Sequence, residues 1–115
     1  MNYGFLVCGN MGGAIARALS GKTKDIAVTD RSGRAKALAE ELRLQYSDNA
    51  SIAERCDRIF LAVKPHMMKD MLLPLRQTLA QRKPLLITMA AGLTMARIQE
   101  LAGASMPVKI GRAHV

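Results

Sequence analysis

Leu6-Val7-Cys8-Gly9-Asn10-Met11-Gly12 is the stretch on which the fold turns. An apolar run from Tyr3 to Cys8 leads into it, and a helical pattern follows, with Ile15, Ala18 and Leu19 at spacings of three and four. A strand, a tight glycine turn and a helix are the context of a dinucleotide phosphate loop. Glycine lets the backbone approach a diphosphate, and the free N–H groups at the helix start hold its negative charge. The full fingerprint is Gly-x-Gly-x-x-Gly. Here Val7 fills the first glycine slot, and Gly9 and Gly12 match the other two. An ordinary strand-to-helix turn has the same outline, so the rest of the chain carries the decision.

With 115 residues the chain is one domain at most. It has no apolar run of eighteen residues, so no membrane span is expected. Its N-terminus passes straight into a strand without a leader pattern, which predicts a cytoplasmic protein. Cys8 and Cys56 have no metal spacing and are too few for a disulfide framework, so both are read as reduced, inert thiols. The formal charge is +8, which raises nucleic acid as a partner. Aromatic residues make up only 3% of the chain and the basic residues are scattered, so stacking platforms are lacking. An anionic cofactor and a solvated basic surface explain the balance better than nucleic acid or a membrane.

The first strand, about Tyr3 to Cys8, is apolar throughout, as in a parallel sheet covered on both faces. A helix over about Met11 to Leu19 follows, and the small Gly12, Gly13 and Ala14 predict its close approach to the sheet and a cofactor. The second strand, Asp25 to Asp30, ends on an acidic residue about twenty positions after the glycine turn, where a dinucleotide presents its adenosine ribose. Asp30 would accept from a free 2′-hydroxyl and favour NAD. Arg31, Ser32 and Arg34 would donate to a 2′-phosphate and favour NADP. The basic residues carry more donors, so NADP is preferred, with NAD as the alternative. Ser32 also suits the N-cap of a second helix, Gly33 to about Leu42, whose buried stripe is Ala35, Leu38, Ala39 and Leu42.

Leu44 to Tyr46 reads as a short third strand, and Ser47-Asp48-Asn49 as a loop capping a helix over Ala50 to about Arg55. Asn49, taken alone, is a cap before it is a ligand. Asp57 to Val63 is the fourth strand, stopped by Lys64-Pro65. Ligands of open α/β sheets bind beyond the carboxyl ends of the strands, and Gly9, Asp30 and Lys64 all fall there. Met68, Met71, Leu72, Leu75 and Leu79 form a core stripe, with a kink or helix restart expected at Pro74. His66 is read as a surface or capping residue and not a catalytic one. Pro84 to Met89 is the fifth strand, and the small Ala90-Ala91-Gly92 after it would let a ligand lie close to the backbone. Thr94 caps a helix over Met95 to Leu101, and Pro107 to Lys109 begins a sixth strand.

Three stretches together resemble the pyrroline-5-carboxylate reductases: Gly4 to Ile15, Phe60-Leu61-Ala62-Val63-Lys64-Pro65, and Ala90-Ala91-Gly92-Leu93-Thr94. Their order and spacing are more specific than the glycine turn alone. The resemblance covers residues 1–109. It implies a Rossmann-like, doubly wound parallel sheet, and reduction of pyrroline-5-carboxylate to proline by hydride from NADPH or NADH. It also implies that the cofactor lies across Leu6, Val7, Cys8, Gly9, Asn10 and Met11, the tip at Arg31 and Ser32, Asn49, Ala62, Val63, Lys64 and Pro65, and Met89, Ala90 and Ala91. Val7 departs from the family's usual glycine, and its Cβ would crowd the turn.

Members of that family are more than twice this length. The resemblance therefore implies a missing C-terminal helical domain, which builds a homo-oligomer and most of the small-molecule substrate pocket. No catalytic residue is assigned within the chain, and no turnover is expected from it alone. Ile110-Gly111-Arg112-Ala113-His114-Val115 reads as the translation of a common sequencing adapter, so residues 110–115 are expected to be a non-native tail. Two further readings stand beside the first: another NADP-dependent reductase of the hydroxyacid-dehydrogenase-like group, and a dinucleotide-binding module without catalysis.

Overall fold

The apolar runs become strands and the periodic stretches between them become helices. The computed structural model describes residues 3–6, 10–30, 33–62, 65–88, 95–103 and 106–110, with the backbone alone for 10, 11, 34, 65, 95 and 110. The strands are β1 Tyr3–Leu6, β2 Ile26–Val28, β3 Gln45–Tyr46, β4 Arg58–Leu61, β5 Leu85–Thr88 and β6 Val108–Ile110. The helices are α1 Asn10–Ser20, α2 Arg34–Leu42, α3 Asn49–Arg55, α4 Met68–Leu72, α5 Arg76–Arg82 and α6 Met95–Ala102. Every strand pairing is parallel, in the order β3-β2-β1-β4-β5-β6. A crossover is needed to return each strand to the same edge, and a helix or helices lie in each connection. The predicted doubly wound sheet is therefore observed.

Alternation along the strands divides the core in two. On one face Leu6, Ala27, Ile59, Leu61 and Leu86 pack under α3, α4, α5 and α6. On the other, Phe5, Ile26 and Val28 pack under α1 and α2, with Tyr3 and Phe60 joining them. Phe5 and Phe60 are register partners and stack, with ring centroids 4.6 Å apart and planes 7° from parallel. Gly4 faces the α3 side. A Cβ built there would lie 2.5 Å from Ile52 Cγ2 and 2.9 Å from Cys56 Sγ, so the absent side chain is what lets α3 settle on the sheet.

The inner stripe of α1 differs from the periodic reading. Ala16 is fully buried, Ile15 and Leu19 are half-buried, and Ala18 is exposed. Alanine fits either side of a helix, so an alanine-rich stretch leaves the helical phase open by one position. Ala14 is also exposed. A Cβ on Gly13 would meet Leu38 Cδ2 at 3.7 Å, an ordinary contact with α2 rather than with the sheet. An ion pair between Arg17 and Glu41 ties α1 to α2 at the surface. The shared hydrogen bond, then the opposite charge, raises the Arg17 pKa and lowers that of Glu41.

Pro74 produces the expected restart. Leu73–Leu75 forms a 3₁₀ turn between α4 and α5, and Met68, Met71, Leu72, Leu75 and Leu79 are all buried. Helices α2 and α5 end at Arg43 and Lys83 in the left-handed region, at φ 59° and 48°, where glycine is the usual residue. Cys56, reduced and buried, follows α3; burial above all, with Asp25 and Asp57 adding and Arg55 opposing, pushes its thiol up to about 11. It therefore stays protonated and unreactive at neutral pH. Among the described residues, no helix is long and apolar enough to cross a membrane.

Candidate coenzyme-binding site

Parallel pairing brings the strand ends into a row. Leu6, Leu61, Thr88 and Ile110 are successive register partners across β1, β4, β5 and β6, and Phe5, Val28 and Tyr46 are partners across β1, β2 and β3. The bonding continues past the strands. Ala62 N–H donates to the Leu6 carbonyl at 3.4 Å, Thr29 N–H to the Phe5 carbonyl at 3.2 Å, and Ser47 N–H to the Val28 carbonyl at 3.0 Å. The predicted site segments thus leave one edge of the sheet. Their midpoint is the β1–β4 boundary, where the strand order reverses and doubly wound folds hold their ligands.

Of the predicted contacts, Leu6 and Ala62 meet at this boundary, and α1 begins with Asn10 and Met11 four residues after β1 ends. Pro65 opens a 3₁₀ turn, Pro65–Met67, beyond β4. Val7, Cys8, Gly9, Arg31, Ser32, Val63, Lys64, Met89, Ala90 and Ala91 lie outside the described residues, as does Thr94. The first turns of α1 and α2 contain no carboxylate that would oppose a phosphate. Gly12 is buried near the start of α1, so the helix sits tightly there. These features suit a dinucleotide diphosphate.

Asn49 does not cap α3. It is the first residue of the helix, and the cap is Asp48, whose Oδ1 accepts from Ser51 N–H at 2.7 Å. Both types cap well, so residue type does not choose between adjacent Asp and Asn. Ser51's backbone N–H, then its side chain, holds the Asp48 carboxyl below its ordinary value. The folded pKa is depressed, so the stabilisation is present above the unfolded value of about 3.9 and is lost as pH falls through the folded one. Asp48→Ala is expected to lower the melting temperature at pH 7, with the deficit closing in acid, while Asn49→Ala leaves it unchanged. Thermal melts followed by circular dichroism at the two pH values check this; equal losses in the two variants would refute the assignment of the cap.

At the end of β2, the N-cap position of α2 is Gly33, not Ser32. Gly33 has no side chain to offer, and Asp30 supplies the acceptors. Its Oδ1 accepts from Gly33 N–H at 3.0 Å and its Oδ2 from Ala35 N–H at 2.8 Å. Asp30, expected as a ribose acceptor, thus caps α2 with its carboxylate. The signal for its second role was an aspartate three residues before a glycine that opens a helix.

Comparisons with known proteins agree with this geometry. A pyrroline-5-carboxylate reductase from Corynebacterium melassecola is 34% identical over 92 residues, covering 74% of this chain and 33% of that protein. The solved pyrroline-5-carboxylate reductase from Coxiella burnetii superposes with a TM-score of 0.86 at 30% identity, covering 93% of this chain and 42% of that one. The Plasmodium falciparum pyrroline carboxylate reductase, solved with NADP bound, gives a TM-score of 0.75 at 25% identity, covering 94% of this chain and 40% of that one. The chain thus spans less than half the length of each. Residues 2–92 match the family described as "NADP oxidoreductase coenzyme F420-dependent", and the chain belongs to that family.

Proposed function

We infer that this chain is the coenzyme-binding part of an NADPH-dependent pyrroline-5-carboxylate reductase. The observation that carries the reading is the row of strand ends at Leu6, Leu61 and Thr88, with Ala62 bonded to Leu6 at the reversal of strand order. The 34% identity to a curated reductase supports the substrate class. NADPH, when bound, supplies the hydride that converts the cyclic imine acid to L-proline. The chain's own part is to bind and orient. The amides at the start of α1 face the diphosphate, Arg31 and Ser32 donate to the 2′-phosphate, and Asn49 and residues 62–65 and 89–91 line the path towards the nicotinamide. A homo-oligomeric, cytoplasmic parent fits the same reading.

Calorimetric titration of the folded chain tests it. NADPH is expected to bind more tightly than NADH, and Asn49→Ala to weaken NADPH at unchanged melting temperature. A folded sample that ignored both coenzymes at millimolar concentration would end the proposal.

A further inference from the structure

We propose that the sheet edge opposite the candidate coenzyme site is a basic rim that takes the phosphodiester backbone of a nucleic acid, without reading its bases. The basic residues are scattered along the sequence, and the parallel fold gathers them. Every strand starts from the same edge, so each connection that ends a helix arrives there. Lys22 and Lys24 precede β2, Arg43 precedes β3, Arg58 opens β4, and Arg82 and Lys83 precede β5; all six are exposed. Across the sheet they follow the order β3, β2, β1, β4, β5, with Tyr3 in the place of β1. Arg58 lies over the Tyr3 ring, 5.7 Å from its centroid, and its Nη1 donates to the Tyr3 hydroxyl at 3.2 Å. Strands about 4.8 Å apart set this row over about 19 Å, the length of about five phosphates along one strand. A coenzyme at the other ends of these strands leaves this charge unexplained.

Cations near a helix C-terminus offset its dipole, and Lys24 does so directly: its Nζ donates to the Leu42 carbonyl at 3.1 Å. That role does not account for Arg43 and Lys83. Both close their helices in the left-handed region, at φ 59° and 48°, where glycine would do so without strain from a Cβ. Among the described residues they are the only non-glycine positions with positive φ, and both put a cation on this rim. The acids of the same connections, Asp25 and Asp57, share the surroundings of the Cys56 thiol with Arg55, on the α3 side of the sheet. Arg58 stands on the other side, with Tyr3. A line of cations that includes three arginine forks suits phosphodiesters. A bilayer would call for apolar or aromatic residues that enter the headgroups. The exposed large hydrophobics among the described residues are Tyr46, at the far end of β3, and Leu73, at the turn between α4 and α5, and neither is on the rim.

Fluorescence polarisation of a labelled oligothymidylate of about 12 nucleotides, titrated with the full chain at several salt concentrations, is the test. Binding is expected at low salt, with log affinity falling against log salt at a slope of about −3.5, the value for five phosphates of a single strand. Arg43→Gly combined with Lys83→Gly should flatten that slope by about 1.4, two phosphates' worth. The melting temperature of this variant should hold or rise, because glycine relaxes both left-handed positions. Lys69→Ala combined with Arg76→Ala removes the same charge from exposed positions off the rim and should leave the slope unchanged. NADPH should not displace the oligonucleotide. Absence of binding at low salt, equal flattening in the two double variants, or displacement by NADPH overturns the inference. So does binding to vesicles of equal parts phosphatidylserine and phosphatidylcholine in place of the oligonucleotide, which would make the rim a membrane contact.

Discussion

Gly4→Ala is expected to destabilise the protein by about 1–3 kcal/mol, the range for overpacking a close-packed core. The added methyl would sit 2.5 Å from Ile52 Cγ2, 2.9 Å from Cys56 Sγ and 3.2 Å from Cys56 Cβ. None of these atoms has an easy retreat, since Ile52 and Cys56 are both buried and Cys56 closes α3. The backbone of Gly4 cannot retreat either, because it is paired to Ala27 on one side and Ile59 on the other. At a few degrees per kcal/mol for a domain of this size, the melting temperature should fall by about 5–15 °C. Gly21→Ala is the control, since a Cβ there meets only the Ala18 carbonyl at 3.5 Å. Removing the obstructing atom with Ile52→Ala leaves a cavity by itself, yet the double variant should cost less than the sum of the two singles. Additive losses, or a Gly4→Ala melt equal to wild type, would contradict the packing described.

The second large effect concerns the coenzyme. Replacing Arg31 and Ser32 together with alanine should weaken NADPH by about a hundredfold or more, since hydrogen bonds to charged groups contribute about 1.5–3 kcal/mol each. NADH, which has no 2′-phosphate, should be nearly unaffected. The slope of NADPH affinity against salt should flatten as well, because a cation facing the phosphate is gone. Titrations at two ionic strengths measure both quantities. A parallel loss of NADPH and NADH would place these residues elsewhere than at the phosphate.

The fold was legible because its strands are written as apolar runs. Phe5 and Leu6, Ile59 and Leu61, and Leu86 are buried where continuous hydrophobic stretches put them, and Pro74 breaks its helix as its missing N–H requires. Single positions were less legible where two residues offer the same chemistry. Ala16 and Ala18 compete for the inner side of α1, and Asp48 and Asn49 compete for one cap. The turns at Arg43 and Lys83 carried no signal, because glycine is absent from both. Gly4 looked like one more residue of an apolar strand, since sequence does not reveal how near the next layer lies. For the site, spacing located the strand tips whose ends now lie in register. The second role of Asp30 needed distances, because only coordinates tell a carboxylate bonded to its own helix from one turned to a ligand.

The central place of β1 has a consequence during synthesis. Tyr3 pairs with Ile26 on one side and with Arg58 on the other, so its second neighbour is made 55 residues after it. At about 5–20 residues per second, this apolar strand waits on the order of 3–11 s at the ribosome with one long flank unpartnered. No adjacent pair in the sheet can form as a hairpin, so the wait cannot be shortened by local zippering. A chaperone that shelters nascent apolar segments would therefore find a client surface in Tyr3–Leu6 throughout that interval.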